Sequence, residues 1–310
     1  MNKNEDKFRI LMSAKKYDVE HALGLYALSF YSLPAEFIYA QNLEQQLGEG
    51  IKKCHIYLIG IVPKLEMKDT WQEGNTLLID FEMLDQKYEV KGPIPPGMKL
   101  KKEDYLWYLS DGSGGRFSPT EEEILQAFQI QHGLLPFEVV YVGQAFGKEG
   151  SRHAIDRLKK HETQQKIALK GVPDGYRLQV VLIETHPSNQ MFTLFNPFAK
   201  DTSKGERRIK DGLDKLFGTN EHEQITQYEA SFIRYFKPVY NIEFKNSFPS
   251  TDLKVLEDCY NKDFSSIVAE FVFDQPPFAL FSQNVDAKPE HIIKFDLHKD
   301  EERKVVFSSS

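Results

Sequence analysis

Cysteine is almost missing from this chain: Cys54 and Cys259 are the only two in 310 residues. Two cysteines cannot form a disulfide framework, and nothing near either has zinc-ligand spacing. They read as plain thiols in a reducing compartment. Long apolar runs are missing too. No stretch approaches the roughly 20 residues a membrane-spanning helix needs, so no membrane partner is expected. Met1-Asn2-Lys3-Asn4-Glu5-Asp6 lacks the apolar core of a secretory signal, and the expected location is cytoplasmic. There is no internal repeat, no zinc finger, no helix-turn-helix signature and no long basic arm. Positive charge is also in deficit. The net charge is −7, which argues against a protein that wraps phosphate backbones along its whole surface.

What remains is ordinary globular composition, 41% apolar and 27% charged, in a length that suits two domains better than one. The charge is unevenly spread. Residues 1–135 carry 15 basic and 20 acidic side chains, residues 136–248 carry 17 and 14, and residues 249–310 carry 7 and 12. Only the middle third is positive, and an enzyme that merely visits its substrate can work with such a local field. The acidic flanks suit a protein partner.

Pro34 opens a helix that Gly48 and Gly50 would end. Strands are expected at 55–62, 76–83 and 88–90, from their β-branched and aromatic content. Ser118-Pro119-Thr120-Glu121 reads as a capping box that opens a helix to about Gln131. Phe137 to Val142 is a strand ended by Gly143. A helix is expected over 152–169, a strand over 176–185, helices over 204–217 and 221–236, and strands near 267–273 and 291–297.

Four segments in and beside these elements carry chemistry. Tyr141-Val142-Gly143 supplies a phenol. Arg157 and His161 share one helix face at i and i+4. Arg157 can grip a phosphate in bidentate fashion, and His161 can move a proton near neutral pH. Alone, the pair would pass for a solvated basic face beside Lys159 and Lys160. Glu229 lies next to the apolar stripe of Ile225, Tyr228, Phe232 and Phe236, where a carboxylate is costly unless paired or bound to a metal. Mg²⁺ can be held by one or two carboxylates, waters and substrate phosphate, so one glutamate could suffice. Pro238 ends that helix, and Asn241 returns an amide toward its end, to fix either a metal-bound water or a backbone turn.

Taken in order, Tyr141-Val142-Gly143, then Arg157 through His161, then Glu229 through Ile233 and Pro238 to Tyr240-Asn241, the series resembles the GIY-YIG endonuclease superfamily over about residues 136–245. The resemblance implies an α+β fold: a small antiparallel three-stranded sheet flanked by helices, here with a β-rich accessory region. It implies an accessory region at 1–130, the nuclease-like domain at 131–248 and a β-rich extension at 249–310. It implies a metal-dependent endonuclease, acting on DNA in preference to RNA, with Mg²⁺ or Mn²⁺ on Glu229. Arg157 would sit on the scissile phosphate, a tyrosine or His161 would ready the water, and Asn241 would support.

The sequence departs from the family pattern twice. No G-I-Y-like triplet lies just upstream of Tyr141. The nearest look-alike, His55-Ile56-Tyr57, would bring Tyr57 into the site only across an insertion of roughly eighty residues; Tyr108 is a weaker substitute. The loop from Gln144 to Ile155 is long and carries Gly147, Lys148, Gly150, Arg152 and His153, which could touch phosphates. The alternative expectation is a module of the same kind that binds nucleic acid or protein without cutting. A third makes all four segments structural.

Overall fold

The computed structural model describes residues 3–103, 106–146, 154–159, 167, 171–186, 190–250, 253–272 and 278–304. Helix α1 (Lys3–Ser13) precedes a 16-residue strand, β1 (Val19–Pro34), that bends at a bulge between Ala27 and Ser29. A short 3₁₀ turn at Ala35–Tyr39 and helix α2 (Leu43–Leu47) replace the single expected helix. Then come β2 (Cys54–Pro63), β3 (Glu66–Glu73), β4 (Thr76–Met83), β5 (Gln86–Pro93), β6 (Lys99–Glu103), β7 (Leu106–Ser110) and β8 (Arg116–Phe117). Helix α3 (Glu121–His132) begins at the Thr120 capping box. Strand β9 (Leu135–Gln144), helix α4 (Ala154–Lys159), β10 (Tyr176–Thr185) and β11 (Gln190–Phe195) follow. The chain ends with helices α5 (Gly205–Gly218), α6 (Glu221–Phe236) and α7 (Glu257–Asn261), then β12 (Ser266–Phe271), β13 (Phe278–Ser282), β14 (Val285–Lys288) and β15 (His291–Asp296).

The expected small three-stranded sheet is overturned. Strands run β14-β13-β9-β2-β10-β1-β12-β15 in one mixed, nearly closed, barrel-like sheet, and β11 joins it through β1 as the ninth strand. Two separate three-stranded sheets, β3-β4-β5 and β6-β7-β8, are inserted between β2 and β9. The reason is burial. Strand β10 is buried over most of its length around the apolar run Val180-Val181-Leu182-Ile183, and such a strand cannot be left as an open edge. Its free side is taken by β1, and the free side of β9 is taken by β13. The large sheet therefore draws strands from 1–130, 131–248 and 249–310 alike.

Both faces of the sheet are packed. On β2, Ile56, Leu58 and Val62 belong to one core, with Phe232 and Phe236 of α6. Cys54, Tyr57 and Ile59 belong to a second core, with Ile155 and Leu158 of α4. The sheet thus carries α6 on one side and α4 on the other, which sets up the arrangement below. Among the described residues, no helix is long and apolar enough to cross a membrane.

Candidate active site

Strands β2 and β9 are antiparallel neighbours despite the insertion between them, with Tyr57 opposite Gly143 and Ile59 opposite Tyr141. This register sets the two tyrosines diagonally on one face, with ring centroids 6.1 Å apart. The phenols are hydrogen-bonded, with Tyr57 as donor, which holds the Tyr57 proton more tightly and eases loss of the Tyr141 proton. Burial is the largest influence on both and pushes both pKa values up, that of Tyr57 furthest. Tyr57 is the more enclosed, at 1% exposure. Gly143 makes room for this pair: a Cβ there would lie 2.5 Å from the Tyr57 Cζ and Oη and 2.8 Å from Tyr141.

Glu229 reaches the same place from α6. That helix starts at Asn220, whose side chain caps the Glu223 N–H, and ends at Lys237 in the left-handed conformation before Pro238. Glu229 is buried at 9% exposure. Burial, then the nearby Glu243 carboxylate, push its pKa up to about 8; hydrogen bonds from the Gln144 backbone and side chain and the charge of Arg157 oppose the rise. Arg157 stands on α4 with its side chain exposed, and its field also lowers the Tyr57 and Tyr141 pKa values. One guanidinium therefore acts on two phenols and one carboxylate.

Asn241 does something more specific than expected. Its Nδ2 donates to the Val142 carbonyl at 2.8 Å and its Oδ1 accepts from the Val142 N–H at 2.9 Å. The Tyr240 N–H donates to the Val140 carbonyl at 3.1 Å. The segment after Pro238 thus pins β9 beside Gly143, and Asn241 spends both ends of its amide on backbone rather than on a metal-bound water. Tyr108, on β7, belongs to a separate sheet and bonds Glu103. His161 lies outside the described residues, as do Gly147, Lys148, Gly150, Arg152 and His153.

Two contributors were missed in the sequence. Gln144 directly follows the Tyr141-Val142-Gly143 triplet and bonds Glu229. Glu243, two residues beyond Asn241, sets a second acid near Glu229 and Tyr141. The only signal for either was adjacency to a motif. A buried carboxyl whose ionisation is opposed by burial and by a second acid nearby fits a divalent hard cation that would favour its ionised form and keep several waters, as Mg²⁺ does. Among the described residues there is no cluster of three or more His, Cys, Asp or Glu side chains that could enclose a metal. No protein-family model, curated protein or solved structure matches this chain.

Proposed function

We propose that the chain is a metal-dependent endonuclease that hydrolyses phosphodiester bonds, in DNA in preference to RNA. The observation that carries this reading is the shared electrostatic neighbourhood of Tyr57, Tyr141, Arg157 and Glu229, assembled from three separate parts of the chain. A bound Mg²⁺ or Mn²⁺ would supply Lewis-acid stabilisation of the phosphate and of the charge on the departing oxygen. Glu229 would hold it, assisted by Glu243.

The chain's own groups take the remaining roles. Arg157, exposed and within electrostatic reach of both tyrosines, binds a non-bridging phosphate oxygen and stabilises the charge that grows there. Tyr141 accepts from Tyr57 and is the less enclosed of the two phenols; it passes its own proton to His161 as it takes the proton of the attacking water, so His161 ends with the proton. Tyr57, held protonated by burial, orients Tyr141. As the new P–O bond forms, the ester P–O bond opposite breaks, and the departing oxygen takes a proton from solvent.

The deep burial of Tyr57 and Glu229 favours a second reading, a module that holds nucleic acid or a protein through the Arg157 side without cutting. Nicking of supercoiled plasmid with Mg²⁺ and with Mn²⁺, and cleavage of structured RNA, separate the two. The nuclease reading expects wild-type nicking that Glu229→Ala and Arg157→Ala each abolish. Wild-type protein inert toward every substrate with both metals, yet still retaining DNA in a filter assay, would leave the binding module.

A further inference from the structure

The most exposed large apolar side chain among the described residues is Ile242, at 92%. An isolated surface isoleucine needs no explanation, but this one is placed. It stands between Asn241, clamped to Val142 beside Tyr141, and Glu243, whose charge reaches Glu229 and Tyr141. Consecutive Cα atoms lie about 3.8 Å apart, so Ile242 belongs to the rim of the candidate site.

The turn that carries it is tethered along its length. Two positions before it, Tyr240 packs against the core of Tyr57 and Ile155; two positions after it, Phe244 packs against the core of Phe232. The Tyr240 N–H holds the Val140 carbonyl, and the Asn241 N–H donates to the Pro238 carbonyl at 3.3 Å. Lys245 Nζ donates to that same carbonyl at 2.9 Å, and Arg234 donates to the Lys245 carbonyl at 3.1 Å. Phe244, left-handed at φ 58°, turns the chain back. Apolar residues at 240 and 244 are thus drawn into the two cores, while the one between them is held out in water. A side chain displayed on a fixed turn loses little freedom when it inserts elsewhere.

We propose that Ile242 is a wedge that enters between two stacked bases beside the bound phosphate. Charge and place favour nucleic acid over an apolar protein pocket. From Lys237 to Lys245 the segment carries two lysines and one acid, within the only basic third of the chain. A phosphodiester gripped by Arg157 would lie in the same neighbourhood. Around it the sugar–phosphate backbone is charged, so the apolar surface open to an isoleucine is the base stack. Isoleucine is among the side chains that architectural DNA-binding proteins insert in this way. Unstacking costs least at a mismatch or another weakened step, so the wedge selects for such steps. The proposal rests on the nucleic-acid reading of this site and deepens it, by naming distorted duplex as the preferred substrate.

The test is the fluorescence of 2-aminopurine set beside a central mismatch in a short DNA duplex, without divalent metal so that no cleavage intervenes. Wild-type protein should unstack the probe and raise its emission several-fold. Ile242→Ala should keep the wild-type urea midpoint and leave the emission flat, whereas Ile242→Met, apolar and of similar reach, should restore most of the rise. Wild type should also bind the mismatched duplex about tenfold more tightly than the matched one, a preference that Ile242→Ala loses. A wild type that binds DNA without brightening the probe, or an Ile242→Ala protein that brightens it equally, would overturn the wedge and leave the nuclease reading standing. Brightening that depends on Ile242 in a protein that never nicks would uphold the wedge and sink the nuclease. A protein that neither binds nor nicks DNA would sink both.

Discussion

Gly143 lies directly across the β2–β9 ladder from Tyr57, and the phenol fills the space that a side chain at 143 would occupy. A methyl group there would stand 2.5 Å from the Tyr57 ring, nearer than real Cβ contacts come, so ring or strand must move. Gly143→Ala is therefore expected to cost about 1–3 kcal/mol in urea unfolding through overpacking and, under the nuclease proposal, to lower nicking by displacing both tyrosines. Gly92→Ala is the control. It is also a strand glycine, but nothing lies within 4 Å of its Cβ position, and its midpoint should not fall.

Asn241 satisfies both polar groups of Val142, a buried residue, in one planar clamp. Asn241→Ala leaves a buried N–H and a buried carbonyl unpaired, which should cost roughly 2–4 kcal/mol. Hydrogen exchange checks the cause: the Val142 amide should lose its protection far more than the amides of β10. A general loss of protection across the sheet would instead make Asn241 a simple packing residue.

The legible and illegible parts of this chain divide along the range of the forces involved. Strands β2, β9 and β10 and helices α3, α5 and α6 were readable because their signals are local: β-branched runs, a capping box at Thr120, a proline after Lys237. Strand β1 was not. Its partners in β10 lie some 150 residues away, as in Ala27 opposite Thr185, and its Gly24 and mid-strand bulge break the alternation that marks a strand. Missing β1, β11, β13 and β14, and reading β12 and β15 as part of a separate extension, is what made a nine-stranded sheet look like three strands. The same limit applies at the site. The Tyr57–Tyr141 pairing needs strands that meet across two inserted sheets, and the influence of Glu243 on Glu229 is purely tertiary.

Arg157 is exposed, and its influence on the site runs through its charge. Arg157→Ala should leave the unfolding free energy within about 0.5 kcal/mol of wild type, as surface changes usually do. Under the nuclease proposal the same change removes a stabiliser of developing charge, which is worth about 10²–10³ in rate. Single-turnover nicking at saturating protein, alongside urea melts, reads both numbers. A fall in rate matched by a fall in stability would mean that Arg157 acts on the fold.

The strongest pH signature belongs to Glu229. Its pKa of about 8 in the fold, against an ordinary 4.5, means that the folded protein binds this proton more tightly than the unfolded chain does. The contribution to stability is thus whole below about pH 4.5 and is lost as pH climbs toward 8, at up to about 1.4 kcal/mol per pH unit. Glu229→Gln, which cannot ionise, should match wild type near pH 4 and exceed it at pH 8 in metal-free urea melts. Glu243→Gln removes the second cause of the shift and should recover part of the same stability. A divalent cation favours the ionised carboxylate, so under the metal-site proposal Mg²⁺ or Mn²⁺ at pH 8 should raise the wild-type midpoint and leave that of Glu229→Gln unmoved. Equal slopes of stability with pH for wild type and Glu229→Gln would show that this carboxylate is solvated and ionised throughout, and the case for a metal on it would go too.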